Sequence, residues 1–266
     1  MLLRPFQTLR GCTLAASDGE IGKVREFYFD DARWTVRYLV VETGSWLTGR
    51  EVLIAPHALG EVDPQSGTIA VALSQAQVRS APPVETDKPV SRQYEARVHE
   101  YYGWAPYWGG AAAGPGMMLP PPALAPLPAF VPPPEVTENL EATRPPGDPT
   151  LRSSAELMNG YTIRAQDGEI GRVEDFIVDV TDWGVRYLVI RTGAWFFGKD
   201  VLLAPEWIER ISYPTAEVFV NLPRAAIKDA PEYDAAAPFS RAFEQRLHDH
   251  HGRKGYWDAG RAAGMP

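Results

Sequence analysis

Short runs of apolar and β-branched residues, separated by turn-forming residues, recur along the first part of the chain. Such runs are typical of β-strands. The pair Asp18-Gly19 between two of them predicts a tight hairpin turn, because both residues tolerate positive φ angles. Gly22, inside the second run, predicts a bulge or bend in that strand. The predicted strands cover residues 13–16, 21–29, 36–41, 51–55 and 68–73.

Two helices are predicted after these strands. Ser74 suits the N-cap of a short helix that runs through Val78. Farther along, Tyr94 and Val98 lie four residues apart, as apolar residues do on one face of a helix. This spacing predicts a short amphipathic helix, followed by an extension that carries Tyr107-Trp108.

The whole pattern occurs twice, at a constant offset of 149 residues. Residues 9–56 and 158–205 share 25 identities in 48 aligned positions without a gap. The match continues into the predicted tail helices, where residues 89–99 correspond to residues 238–248. Self-similarity of this kind indicates a repeated folding unit, so two copies of one mainly β unit are predicted.

A proline-rich segment, residues 111–150, separates the copies and holds twelve prolines. Proline fixes φ and lacks a backbone N–H, so this segment predicts an extended, semi-rigid linker. Residues 111–131 are apolar and uncharged, but their six prolines argue against a membrane-spanning helix.

Composition narrows the function classes. The 266 residues carry a net charge of −8 with both signs mixed, which argues against the basic face of a direct nucleic-acid binder. Cys12 is the sole cysteine, so neither an intrachain disulfide nor a thiolate metal site is expected, and Cys12 is predicted to be a small buried residue. The first residues lack the apolar core of a signal peptide, and a cytoplasmic location is expected.

Both copies combine a hairpin, a central strand, a tryptophan-containing loop, a further strand that ends at proline, and a closing helix. In the first copy these are Gly11, residues 18–24, 37–41 and 46–54, Pro56, and the helix that ends near Ala81-Pro82. Together they resemble the PRC-barrel domain family over roughly residues 5–82 and 155–231. The resemblance implies a small, partly open β-barrel in each copy.

The predicted organisation is therefore mainly β, with two tandem PRC-type barrels. Each barrel is followed by a short amphipathic helix, and the proline-rich linker joins the two halves. The predicted parts are barrel 1 (residues 1–82), tail 1 (83–110), the linker (111–150), barrel 2 (151–231) and tail 2 (232–266).

The family resemblance also implies a role in protein–protein contacts and assembly, as in stand-alone bacterial members. An unknown protein partner is expected, and the barrels are free to pair within one chain or between chains. Two alternatives follow from other family members: a ribosome- or RNA-processing-associated factor, and an accessory protein of a membrane or photosynthetic complex. An enzyme is disfavoured because the chain lacks the phosphate-binding and nucleophile motifs of common enzyme families.

Partner-binding residues are sought first in the loop that carries an aromatic residue beside a cation, since such pairs form interaction hot spots. The competing interpretation is that the tryptophan covers one end of the barrel and the cation extends over it. The loop candidates are Trp46 and Arg50 in the first copy, and Trp195, Phe196, Phe197 and Lys199 in the second.

The tail helices supply a second set of candidates, because their charges coincide in both copies. Surface charges contribute little to stability, so their retention suggests that the helix docks on its own barrel, on the other barrel or on a separate partner. The arginines proposed as partner-binding are Arg92, Arg97, Arg241 and Arg246, which accompany Glu95, Glu244, His99 and His248.

Metal and acid–base sites are not expected. The acidic residues Asp18, Asp30, Asp167 and Asp179 flank turns, where aspartate serves backbone hydrogen bonds. His248, His250 and His251 form the single histidine cluster, but the first copy has His99, Tyr101 and Tyr102 in its place, so the cluster is interpreted as incidental. No cofactor is predicted.

Overall fold

The computed structural model describes residues 2–47, 49–63, 65–82, 84, 90, 92–108, 151–193, 198–237 and 239–258. The predicted linker at 111–150 lies outside these residues, as do the candidates Trp195, Phe196 and Phe197. Among the described helices, none is long and apolar enough to cross a bilayer.

The described residues before the linker form strands and short helices in the predicted sequence. Two strands, at the start of the chain and after the fifth strand, and a short helix that follows the first strand were not predicted. The elements are β1 (Leu3–Pro5), α1 (Phe6–Leu9), β2 (Thr13–Ala16), β3 (Gly19–Asp30), β4 (Thr35–Thr43), β5 (Glu51–Ile54), β6 (Leu59–Asp63), β7 (Thr68–Val71), α2 (Gln75–Arg79) and α3 (Arg92–Tyr102).

The described residues after the linker repeat this series, which confirms a mainly β chain built from two copies of one pattern. Its elements are β8 (Arg152–Ser153), α4 (Ser154–Gly160), β9 (Thr162–Ala165), β10 (Gly168–Asp179), β11 (Gly184–Thr192), β12 (Asp200–Leu203), β13 (Ile208–Ser212), β14 (Glu217–Val220), α5 (Arg224–Asp229) and α6 (Arg241–His250).

The chain divides into two compact units. What we call the first unit contains the described residues of Gln7–Ala155 and Asp179–Gly184. The second unit contains those of Met1–Phe6, Glu156–Val178 and Val185–Pro266. Each unit therefore holds most of one repeat with its tail helix, together with a short segment of the other repeat.

In the first unit, the strands are hydrogen-bonded in the order β5-β4-β3-β2-β7-β6, and β8 lies on β3. The hairpin between β2 and β3 turns at Gly19, whose φ of +142° agrees with the turn predicted there. The second unit has the order β12-β11-β10-β9-β14-β13, with β1 on β10. The same strand order in both units follows from the repeated sequence pattern.

The long third strand approaches its neighbour closely at one glycine. A Cβ atom on Gly22 would lie 2.1 Å from the carbonyl oxygen of Glu42, and one on Gly171 would lie 1.9 Å from that of Arg191. The register of β3 against β2 shifts beside Gly22, as the predicted bulge requires. Glycine is needed at both positions because any side chain would collide with backbone.

The core of each unit consists of apolar side chains from the sheet, closed by the short helix that follows it. Leu14, Phe27 and Leu39 are fully buried in the first unit, and Cys12 is buried as predicted. Ser74 caps α2 in a capping box with Gln77, which confirms the predicted cap. Burial of this kind supplies most of the stability of a small domain.

Candidate functional site

The tail helix α3 packs on the sheet of its own repeat. Its apolar residues Tyr94 and Val98 are buried in one cluster with Tyr38, Val40 and Leu53 from the sheet. The sequence left open whether this helix docks on its own barrel, on the other barrel or on a separate partner, and the structure shows it on its own barrel. Burial of the apolar face predicted from the spacing of Tyr94 and Val98 explains why the helix stays there.

The second tail helix packs in the same way. Leu247 of α6 is fully buried. The ring of Phe239, just before the helix, lies 6.0 Å from the ring of Tyr187 on β11. Phe243 on the helix lies 6.3 Å from Tyr233, so aromatic contacts bring the helix against the sheet of the second repeat.

Beneath α3 lies a buried group of polar side chains that we call the first polar cluster. The hydroxyl of Tyr38 lies 2.8 Å from Nε2 of His99 and 3.3 Å from Oε1 of Glu95. The hydroxyl of Tyr107 donates to the same carboxylate oxygen. Arg92 Nη1 lies 3.0 Å from Oε2 of Glu95 and completes the cluster.

The second unit contains the same five residues at equivalent positions and in the same arrangement, which we call the second polar cluster. Tyr187 contacts Oε1 of Glu244 at 3.0 Å and Nε2 of His248 at 3.2 Å. Tyr256 donates to Oε1 of Glu244 at 2.8 Å, and Arg241 lies 3.0 Å from Oε2. All five pairs of equivalent residues obey the 149-residue offset, so the duplicated sequence encodes a duplicated site.

The hydrogen-bond geometry determines where the histidine proton lies. Nδ1 of His99 is 3.1 Å from the carbonyl oxygen of Ala105, and a carbonyl only accepts, so Nδ1 carries the hydrogen. In the neutral ring, Nε2 then accepts the hydroxyl proton of Tyr38. Burial lowers the pKa of His99, and the cations of Arg92 and Arg37 act in the same direction.

The carboxylate and the hydroxyl of the first cluster are shifted too. Burial raises the pKa of Glu95, against the opposing effect of its Tyr107, Arg92 and Tyr38 neighbours. Burial, and next the charge of Glu95, raise the pKa of the Tyr38 hydroxyl. The neutral imidazole and the carboxyl with a raised pKa belong to a group of polar side chains that contact one another in the interior. Oε2 of Glu95 is paired there with the charge of Arg92 but accepts no hydrogen bond.

The burial of these groups corrects one interpretation made from the sequence. Glu95 and His99 were treated as surface charges, yet Glu95 is completely buried and His99 is 5% exposed. Glu244 and His248 are buried in the same way. The missing signal was the pairing with Tyr38 and Tyr187, which lie 57 residues before each glutamate and cannot be linked to it by local pattern.

One edge of each polar cluster reaches the surface. Arg92 places its guanidinium carbon 5.3 Å from the ring centre of Tyr107 and 4.5 Å from that of Trp108. The side chain of Arg92 is 31% exposed, and both rings are half-buried. We call Arg92, Tyr107 and Trp108 the first arginine–aromatic patch. Cation–π contact of this type holds an arginine in one geometry at the surface.

The second arginine–aromatic patch repeats these contacts. Arg241 lies 5.3 Å from the ring centre of Tyr256 and 4.2 Å from that of Trp257, and its side chain is 44% exposed. The other two predicted arginines, Arg97 and Arg246, are exposed on the same helices, each over a neighbouring ring at 5.6 Å. The structure thus brings two of the four predicted arginines into an aromatic surface.

The predicted loop residues have internal roles. Trp46 donates its indole N–H to the carbonyl oxygen of Ile21 at 2.9 Å. Arg50 donates to the carbonyl oxygens of Val78 and Ala81 at the end of α2, at 3.0 and 2.7 Å. A cation at this helix end is favourable because the carbonyl groups there have no partners within the helix.

Lys199 takes the same role in the second copy. Its Nζ donates to the carbonyl oxygen of Ala230, the C-cap of α5, at 2.7 Å. The cation above Trp46 is not its loop partner but Arg79, at 5.7 Å. The loop cations therefore secure the closing helix of each repeat.

The predicted turn aspartates accept backbone N–H groups. Asp18 accepts from Gln75 at 2.9 Å and Asp167 from Arg224 at 2.7 Å, so each joins its hairpin to the closing helix. The three predicted histidines have different contacts: His248 lies in the second polar cluster, His250 contacts the carbonyl oxygen of Ala226 at 2.9 Å, and the ring of His251 lies 4.7 Å from that of His250. Among the described residues, no three His, Cys, Asp or Glu side chains converge as metal ligands do.

The second unit also has a cleft of about 480 Å³. Two of its cations are paired with carboxylates, Arg191 with Asp200 at 2.9 Å and Arg172 with Glu174 at 2.7 Å. The equivalent positions of the first copy hold Glu42 and Lys23, so the charge of the cleft is not a shared property of the repeat. The cleft is lined by Thr162, Glu169, Ile170, Gly171, Arg172, Arg191, Gly193, Arg224 and Lys228.

Comparison with known families gives one match. The model of the PRC-barrel domain matches residues 5–77 and again residues 154–225, which together make more than half of the chain. Among curated proteins, no match to the chain was found. The two matched regions coincide with the sheets of the two repeats and leave out both tail helices.

Proposed function

Because the chain belongs to the PRC-barrel domain family, a small β-barrel fold often used for interactions, we propose that it is a non-catalytic module that binds protein partners through both of its units. The partner surface in this proposal is the arginine–aromatic patch. The same patch at equivalent positions of both repeats is the observation that carries the proposal.

The composition of the patch supports a role in binding protein. Arginine, tyrosine and tryptophan are the residues most enriched at hot spots of protein interfaces. Arg92 is held between a buried carboxylate and two rings, so little side-chain freedom remains to be lost when a partner binds. A surface with this preorganisation favours binding.

A non-catalytic role agrees with the state of the polar clusters. The titratable groups Glu95 and His99 contact Tyr38 and lie in the interior, away from any substrate in solution. Their hydrogen bonds hold the tail helix, and through it the patch, on the sheet. The buried chemistry in this proposal therefore has a positioning role.

An affinity capture with the full-length chain tests the proposal. The variant carries Trp108→Ala and Trp257→Ala, which remove one ring of each patch. Each of these rings also packs on the histidine of its cluster, at 4.8 Å from His99 and 4.9 Å from His248, so the fold of the variant must be checked as well. We expect the captured partner to be lost or weakened at least about tenfold, as for hot-spot residues. Ribosomal particles and membrane complexes are partner classes that the same capture would identify.

The matched control carries Arg97→Ala and Arg246→Ala on the same two helices, outside the patch. Binding should persist in this control, and circular dichroism should show both variants folded. A partner that is retained equally by the tryptophan variant and the wild type would refute the patch as its binding surface.

A further inference from the structure

Each unit includes the N-terminal strand of the other repeat. The strand β8 begins the second repeat, yet it pairs with β3 of the first unit, with Tyr28 opposite Ser153 and Phe29 opposite Arg152. The strand β1 begins the first repeat, yet it pairs with β10 of the second unit. Leu3–Pro5 and residues 152–154 are equivalent under the 149-residue offset, so equivalent strands have changed places.

Side chains of the first unit recognise β8 specifically. The hydroxyl of Ser153 donates to the carboxylate of Glu26, and both residues are buried. The backbone N–H of Phe27 donates to Oγ of Ser154 at 3.0 Å. These contacts add to the ladder between β8 and β3, in the manner of an extended segment that completes a sheet edge.

The most selective contact is an ion pair. Nε of Arg152 lies 2.7 Å from Oδ2 of Asp31, and the Arg152 side chain is only 2% exposed. A buried guanidinium needs a carboxylate partner, since an unpaired charge in the interior is strongly unfavourable. The position of Arg152 therefore depends on the residue at position 31.

In the second repeat, the position equivalent to Asp31 does not carry a carboxylate. The residue equivalent to Asp31 is Val180, and the residue equivalent to Arg152 is Leu3. If β8 closed its own repeat, Arg152 would meet Val180 and Leu3 would meet Asp31. When the two strands are exchanged, the cation of Arg152 meets the carboxylate of Asp31. If each repeat were closed by its own strand, Arg152 and Asp31 would each lie beside an apolar residue.

We propose that the edge of β3 is a recognition site for the N-terminal strand of the other repeat, and that Arg152 and Asp31 select that strand over the repeat's own. The partner recognised at this edge is thus an N-terminal strand of a second repeat, supplied here by the same chain. Two repeats joined in this way complete each other, and neither has a full sheet without the other.

Cleavage of the folded full-length chain tests the proposal. A protease site is placed within residues 111–150, and the purified, folded protein is cut there. The two fragments should stay together in dilute size-exclusion chromatography, because each carries a strand of the other's unit. Fragments that separate spontaneously would overturn the proposal.

A double-mutant cycle on the cut protein identifies the contact. Asp31→Ala and Arg152→Ala should each raise the dissociation constant of the fragments about tenfold or more, and the double variant should be no weaker than the worse single variant. Arg191→Ala, which breaks an ion pair with Asp200 inside one fragment, is the control and should change the constant by less than about twofold. Fully additive effects of Asp31→Ala and Arg152→Ala would contradict a direct pair and overturn the proposed selection.

Discussion

Tyr38 and Tyr187 each place one hydroxyl between a carboxylate and an imidazole. A buried hydrogen bond contributes about 1 kcal/mol, but a partner that is left buried and unsatisfied costs about 1–3 kcal/mol. Each tyrosine therefore matters mainly through the buried imidazole that accepts its hydroxyl proton, which is His99 in the first unit.

We expect Tyr38→Phe and Tyr187→Phe each to lower the free energy of unfolding by about 1–3 kcal/mol, because the buried imidazole of His99 or His248 loses the donor to its Nε2. Urea denaturation followed by circular dichroism measures the change. Tyr101→Phe is the control: its hydroxyl donates to the carbonyl oxygen of Gln77 at an exposed site, so a change within about 0.5 kcal/mol is expected. Equal losses in all three variants would contradict a special role for the clusters.

Two further histidines predict a dependence of stability on pH. Burial, and next the neighbouring His99, lower the pKa of His57 to about 4. Burial, followed by the nearby His250, His248 and Arg253, lowers the pKa of His251 to about 4. Both rings must stay neutral in the folded chain, where His57 packs on Trp104 and His251 on Trp207.

A pKa that is lower in the folded state stabilises the protein above the unfolded value of 6.5, and this stability is lost as the pH falls toward 4. We expect the partly exposed His251 to cost about 1–2 kcal/mol between pH 7 and pH 4, and the exposed His57 less than about 1 kcal/mol, because solvent screens an exposed group. The variant His57→Phe with His251→Phe keeps the ring contacts and should lose less stability over the same range in urea titrations. An identical pH profile for variant and wild type would rule out both rings as the cause.

At the scale of elements, the tail helices depend on one buried face. Leu247 is completely buried, whereas its neighbour Arg246 is exposed. Because the helix has a buried apolar face and an exposed polar face, its amphipathic character was predictable from the spacing of its apolar residues. It also means that substitutions one residue apart should differ greatly in effect.

Leu247→Ala should lower the free energy of unfolding by about 2–5 kcal/mol, the cost of a cavity at a fully packed site. Arg246→Ala, at an exposed position of the same helix, should change it by less than about 1 kcal/mol, because it loses only an exposed contact with Phe243. Thermal or urea unfolding compares the two. If both variants had the same stability, the helix would not be held by its apolar face.

At the scale of the whole molecule, the duplication supplies two arginine–aromatic patches on one chain. Binding through both patches would raise the apparent affinity, because the second contact forms within an existing complex. The benefit requires a partner that offers two sites at a distance that the chain can span. Avidity can then make individually weak contacts useful.

Single and double patch variants should therefore differ in a characteristic way. Trp108→Ala alone and Trp257→Ala alone should each lower the apparent affinity for a bivalent partner by about 10²–10⁴-fold, to the level of one site. The double variant should abolish detectable binding. Surface plasmon resonance at low and high partner density separates avidity from single-site affinity, and single variants that bind like the wild type would exclude bivalent use.

Much of each repeat was predictable because local chemistry decides it. The Asp18-Gly19 turn, the Ser74 cap and the strand runs around Gly22 depend on neighbours a few residues apart. The polar clusters were predicted only in part. The retention of Glu95 and His99 in both copies indicated that the tail helix docks, but not that these side chains are buried. Their tyrosine partners come from a strand far away in sequence.

The sequence alone determined the duplication, the strand pattern, the apolar face of the tail helices and the family, because each is a matter of spacing and residue type. Only the tertiary structure decided that Glu95 and Glu244 lie in the interior, that Arg50 and Lys199 hold a helix end, and that β8 completes the first unit. These outcomes depend on which distant groups meet, and the free energy of burying a charge is settled by its partner rather than by its neighbours in the chain.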